Sequence, residues 1–146
     1  MSTIFSKPMG YALRAMIHLA ERRDDGPILA SVIAEREDIP APFLGKVMGK
    51  LAQAGFVDSM RGPNGGYHLI REPETITLRD ISELFETQAS GRECLLGWKT
   101  CPGPKYCAVH QRWLEPQRHI DRFLDGTTLG DIVAGEQKRR QKLKRA

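Results

Sequence analysis

Three cysteines, Cys94, Cys101 and Cys107, fall within fourteen residues of one another, and His110 follows three residues after the last. The spacing is C-x6-C-x5-C-x2-H, and the remainder of the chain holds no further thiol. An odd, clustered set of thiols is poor material for a disulfide framework and good material for a metal or iron–sulfur centre. Thiolates are soft ligands that suit zinc, copper(I) or iron–sulfur, and a neutral imidazole can complete any of these. Structural zinc sites bring their cysteines in close pairs, two to four residues apart. Gaps of six and five residues wrap something broader than one ion, which leans towards a cluster. Spacing alone leaves iron–sulfur, zinc and free thiols all open. Pro102, Gly103 and Pro104 supply bends for such a loop, and Gly97 permits another. His119, His18 and His68 stand apart from this group and read as ordinary structural residues.

The elements that must position this loop can be read from apolar period. Over 7–23, Met9, Ala12, Leu13, Met16, Ile17 and Ala20 recur at helical steps, and Ser6 is placed to cap the helix. A short helix is expected over 30–36. A third, with Pro42 in its first turn, carries Phe43, Leu44, Val47, Met48, Leu51 and Ala52 and stops at Gly55. Strands over 56–61 and 67–70 flank Gly62-Pro63-Asn64-Gly65-Gly66, where Asn-Gly signals a hairpin turn through positive φ. Thr77, with Asp80 three residues on, should cap a helix through Leu78, Ile81, Leu84 and Phe85. Beyond the cysteine loop, Val109, Trp113, Ile120, Phe123 and Leu124 mark a long helix, with Pro116 expected to kink it or mark a restart. Leu129, Ile132 and Val133 suggest a last short turn, and no internal repeat is evident.

The formal charge of +4 is a local effect. Lys138, Arg139, Arg140, Lys142, Lys144 and Arg145 crowd the last nine residues, and taking those six away from +4 leaves −2. The tail, 138–146, reads as a basic, disordered end, with a supplementary contact to phosphate backbone as the lesser alternative. No apolar run is long enough to span a membrane. The N-terminus has neither a basic flank before an apolar core nor a small-residue cleavage site, so no signal peptide is expected and a reducing cytoplasm is the expected compartment. No nucleotide-binding loop, paired catalytic carboxylates or nucleophile with an evident base appears, which argues against an enzyme.

Three helices followed by a two-stranded ribbon is the order of a winged helix-turn-helix. The expected fold is mainly α with a small β-hairpin wing. The expected organisation is a DNA-binding domain over 1–86, the cysteine loop over 87–107, and a long helix with a C-terminal turn over 108–137. The third helix would enter the major groove of operator DNA, offering Lys46, Lys50 and Gln53, while the wing offers Arg61 and Asn64. Across 39–70 those cations face a single acid, Asp58. A hairpin domain used for protein contacts, stabilised by zinc, is the competing reading. On the long helix, Trp113, Ile120 and Phe123 form one stripe that a two-fold partner would bury.

SKPMGYALRAM near the start, RGPNGGY in the wing, CAVHQRW after the cysteine loop and FLDGTTLGDIV near the end resemble the IscR/NsrR family of winged-helix regulators. The match spans nearly the whole chain apart from the basic tail. The resemblance implies a homodimer joined through its long helices. It also implies an iron–sulfur cluster held by Cys94, Cys101 and Cys107, whose state changes DNA affinity. His110 matches the histidine that is the fourth ligand of a 2Fe–2S cluster in the IscR branch, whereas the NsrR branch holds 4Fe–4S. Pro42 and Gly45 stand where IscR has polar base-reading side chains, so no operator sequence carries over.

Overall fold

The computed structural model describes residues 4–86, 94–98, 103 and 105–145. Helix α1 (Lys7–Glu21) begins where the Ser6 hydroxyl accepts from the Met9 amide, and Pro8 suits its first turn. Its inner face is Met9, Ala12, Ala15, Met16 and Leu19, all nearly solvent-free. Helix α3 (Ala41–Gln53) packs against it, with Leu44, Val47, Met48 and Leu51 buried, and α2 (Ala30–Arg36) packs against α3 and joins the same core through Ile33. The turn between them uses Asp38 at φ 52° and an Ile39 amide bond to Ala34. That turn is anchored from α1. His18, fully buried, lies 2.7 Å from a Glu37 carboxylate oxygen through Nδ1, and Arg14 donates to the Glu37 carbonyl at 2.6 Å.

Strands β1 (Val57–Met60) and β2 (Gly66–Leu69) pair antiparallel, Val57 opposite Leu69 and Met60 opposite Gly66. The loop between them has five residues. Positive φ falls on Gly62 (109°) and Gly66 (139°), and Asn64 is not among the residues with positive φ. The hairpin forms where expected, but the Asn-Gly pair is not the residue pair that needs left-handed backbone. The bend is made instead around a Gly65 amide bond to Gly62. Tyr67 also exchanges two backbone hydrogen bonds with Ile28, at 2.9 and 2.8 Å, which ties the wing to the segment entering α2.

Helix α4 (Leu78–Phe85) opens with the expected capping box of Thr77 and Asp80. Helix α6 (Leu129–Arg145) opens the same way with Thr128 and Asp131, and the two boxes meet. Leu78 donates to the Thr127 carbonyl at 2.9 Å and Leu129 to the Ile76 carbonyl at 2.8 Å. Thr77-Leu78-Arg79-Asp80 and Thr128-Leu129-Gly130-Asp131 are thus a recurring four-residue motif set back to back. Ile76, Leu78 and Leu129 are buried at the junction.

Between these clips lies α5 (His110–Gly126). It runs through Pro116 rather than restarting there. That proline is exposed, so the one carbonyl that loses its helical partner can be satisfied by water. Leu124 and Gln117 face inward, and Ile120 packs against the core. Arg79 on α4 bridges to Asp121 and Asp125, with Nε 2.7 Å from an Asp125 oxygen. Its side chain is only 15% exposed, and the bond to Asp125 chiefly holds the guanidinium above the usual arginine range. Arg79→Leu should therefore cost on the order of 1–3 kcal/mol in urea unfolding, because it strands two carboxylates against α4. Arg79→Lys should recover part of that loss.

The tail departs from expectation. Instead of a disordered end after a short turn, α6 is one helix of seventeen residues reaching Arg145. Glu, Gln, Lys, Arg and Leu dominate 136–145, all good helix formers, and the cations of its last turn complement the helix dipole. Arg140 pairs with Glu21 at 2.7 Å, which fixes the helix to the end of α1.

Candidate cysteine cleft and nucleic-acid interface

Cys94 and Cys107, from the segment between α4 and α5, line one small cleft together with His110. Leu95, Leu96, Val109 and Trp113 complete its wall, and its volume is about 20 Å³. Local turns bring them there. The Gly97 amide donates to the Cys94 carbonyl at 2.8 Å with Gly97 at φ 71°, and Tyr106 donates to Gly103 at 3.1 Å with Gly103 at φ 89°. Both conformations favour glycine. Cys107 then leads into α5, whose first residue is His110.

Both described thiols are free and half-buried. Cys101 lies outside the described residues, and the described residues by themselves bring no three metal-ligating side chains together as a group. The donor chemistry fits a soft metal centre: two thiols and an imidazole in an apolar wall. Val109, the residue before α5, provides no side-chain cap. His119, by contrast, is exposed and bonds the Glu115 carbonyl, and His68 is half-buried in β2.

The stripe expected to need a partner divides. Ile120 finds cover within its own chain, Trp113 lines the cleft, and Phe123 is left 52% exposed.

On the reading head, Lys46, Lys50 and Gln53 lie on one exposed side of α3, at steps of four and three residues. Lys50 is not fully extended into solvent, since its Nζ lies 5.6 Å from the Phe85 ring centre. Arg61 and Asn64 are exposed on the wing loop. Phe43, expected to be partly core, is 53% exposed and only flanks Tyr11, ring centres 6.2 Å apart. The core stripe of α3 is complete without it, which was the available signal. Gly45 and Gly49 are also exposed, and a Cβ at either would meet nothing within 4 Å, so packing does not require glycine there.

The comparisons agree with this architecture. The family described as "Rrf2: Iron-dependent Transcriptional regulator" matches residues 5–135. The chain is 41% identical to a relative in Aquifex aeolicus (strain VF5), covering 92% of this chain and 94% of the other. It is 33% identical to the HTH-type transcriptional regulator IscR of Aliivibrio salmonicida (strain LFI1238), over 84% of this chain and 73% of that one. Among solved structures, CymR, the global cysteine regulator of B. subtilis, superposes with a TM-score of 0.76 at 32% identity, covering 91% and 98%. T. potens IscR gives 0.74 at 29% identity, covering 95% and 92%. No described helix is long and apolar enough to cross a membrane. With a winged helix-turn-helix head, a long helix behind it and matches of this extent, the chain belongs to the Rrf2 family of DNA-binding transcriptional regulators.

Proposed function

We propose that this regulator works as a homodimer whose operator affinity follows the state of an iron–sulfur cluster, with 2Fe–2S favoured. Cys94, Cys101, Cys107 and His110 are the proposed ligands. The observation that carries the reading is that Cys94, Cys107 and His110 line one largely apolar cleft where the cysteine segment enters α5. The family description, iron-dependent, supports the same choice. Fold by itself does not decide the sensor, since a cysteine regulator and IscR superpose about equally well. A bound cluster supplies redox and ligand-exchange chemistry. The chain's part is to hold it with soft donors, shield it with Leu95, Leu96 and Trp113, and link it to α5. Phe123, exposed on α5, and Trp113 are the proposed dimer contacts, with Ile120 supporting them from within its own subunit.

In the DNA complex, α3 lies in the major groove with Lys46, Lys50 and Gln53 towards it, and the wing brings Arg61 and Asn64 to the neighbouring minor groove or backbone. Bare backbone at Gly45 and Gly49 permits close approach to the duplex. Arg61→Ala should weaken binding to every operator variant by about 1–3 kcal/mol, read by fluorescence anisotropy. An unchanged affinity would remove the wing from the interface.

The deciding experiment is anaerobic purification, visible and Mössbauer spectra, and gel-shift titration of cluster-loaded and apo protein on the native promoter. Visible absorption with iron and sulfide, and an affinity difference of roughly 5–150-fold between the two forms, is the expected result. A colourless zinc protein would replace the cluster with a structural ion. Equal affinity of both forms would leave the cluster without a regulatory role.

A further inference from the structure

We propose that the last turns of α6 are a positioned second DNA surface, gripping phosphates that flank the operator on the wing side. The proposal rests on the DNA-binding reading and extends its footprint. The six cations of 138–145 are not equivalent. Arg140 is held by Glu21, whose side chain is 7% exposed, and Arg139 is paired with Glu136 at 2.7 Å. Among the described residues, Lys138, Lys142, Lys144 and Arg145 stand in no ion pair, and all are exposed. Lys138, Lys142 and Arg145 follow steps of four and three residues, which places them on one side of the helix, roughly opposite Arg140. The helix is thus docked by one side and presents uncompensated charge on the other.

Its place in the fold gives that charge a partner. Glu21 and Arg22, at the end of α1, share a cleft with Gln137, Arg140 and Gln141. A few residues on, Asp25, Pro27 and Leu29 share another with Pro63, Asn64 and Gly65 of the wing loop. The basic end of α6 and the wing loop therefore flank the same short segment, 21–29. In the proposed complex, a duplex engaged by α3 and the wing would continue past that segment. From Lys138 to Arg145 the helix rises about 10 Å, enough for about three phosphates along one strand. The polyanion that fits is duplex DNA just outside the operator core. The family match ends at residue 135, so this surface is a property of the chain beyond the matched region.

The test compares the full chain with a Lys138→Gln, Lys142→Gln, Arg145→Gln triple variant on two duplexes. One is the operator core, and the other is the core with about ten flanking base pairs on each side, roughly one helical turn. The unmodified protein should bind the flanked duplex more tightly and with a steeper salt dependence. The triple variant should lose that gain, its log–log salt slope falling by about 2–3, while its affinity for the core is unchanged. Between 50 and 200 mM salt that difference amounts to roughly 40-fold in affinity. Glu21→Ala, which removes no cation, should lose the flank-dependent gain as well because the far half of the helix loses its Arg140 anchor on α1. Identical slopes for the unmodified and triple proteins on the flanked duplex would overturn the proposal, as would an undiminished gain in Glu21→Ala. A triple variant that loses affinity for random RNA or anionic vesicles but not for flanked duplex would overturn it too. Failure of the unmodified protein to bind even the core would instead overturn the DNA-binding reading beneath it.

Discussion

Gly66→Ala is expected to destabilise the protein by on the order of 3–5 kcal/mol, the strain and the lost hydrogen bonds acting together. Gly66 has φ 139°, a conformation that L side chains rarely adopt. A Cβ there would lie 2.3 Å from both the carbonyl carbon and oxygen of Ile28 and 2.7 Å from the Leu29 amide nitrogen. All three are backbone atoms, so no rotamer change relieves the clash. The strand must move away, and with it go the two Ile28–Tyr67 hydrogen bonds. Strained backbone costs about 1–3 kcal/mol and each lost bond about 1. Against a typical total of 5–15 kcal/mol, that is a large share. Gly62→Ala is the control. It has φ 109° but no atom within 4 Å of the added carbon, so it should show the strain without the clash. Urea unfolding of both variants measures the difference, and equal losses would show that the close approach at Ile28 does not matter. DNA affinity should fall further in the Gly66 variant, since its wing is no longer tied to the entrance of α2.

Cys94→Ala and Cys107→Ala should each abolish visible absorption and bound iron under anaerobic purification. An apolar cleft offers few substitute donors, and a cluster held by four ligands does not survive the loss of a thiolate. Cys101→Ala should behave the same way under the proposed ligand set. His110→Ala should be milder, because water or an added thiol can occupy its place, and should show as faster loss of colour in air. If all three cysteine variants kept the spectrum and iron content of the unmodified chain, the ligand assignment would be wrong. Loss in Cys94 and Cys107 but not Cys101 would point to a donor from elsewhere.

Much of the reading head is legible in the sequence because its determinants are local. Ser6 and Thr77 announce their helices by capping, and Leu44, Val47, Met48 and Leu51 announce the buried side of α3 by period. What stays hidden depends on contacts between distant residues. Arg79 looks like any solvated helix cation until Asp121 and Asp125, more than forty positions later, are brought beside it. The pairing that docks the basic tail on α1 uses Glu21, more than a hundred positions away. Period likewise put Ile120 and Phe123 on one stripe, and only tertiary packing separates the covered residue from the exposed one. The cysteine cleft is intermediate. Residue types and spacing identify the donors, but the apolar wall of Leu95, Leu96 and Trp113 is a product of folding.

The back-to-back threonine boxes turn α5 into a lever. One end is clamped where Thr127 bonds Leu78 and Phe123, at the point from which α4 and α6 both depart. The other end, about 25 Å away at seventeen residues, begins at His110 in the cysteine cleft. With the fulcrum so fixed, a displacement of about 2 Å at the cleft corresponds to a tilt of roughly 5° at the clamp. That torque is shared by two helices, both of which rest on α1. One leads back to the reading head and the other out to the basic end, so a single small movement of thiol and imidazole would reach both arms at once.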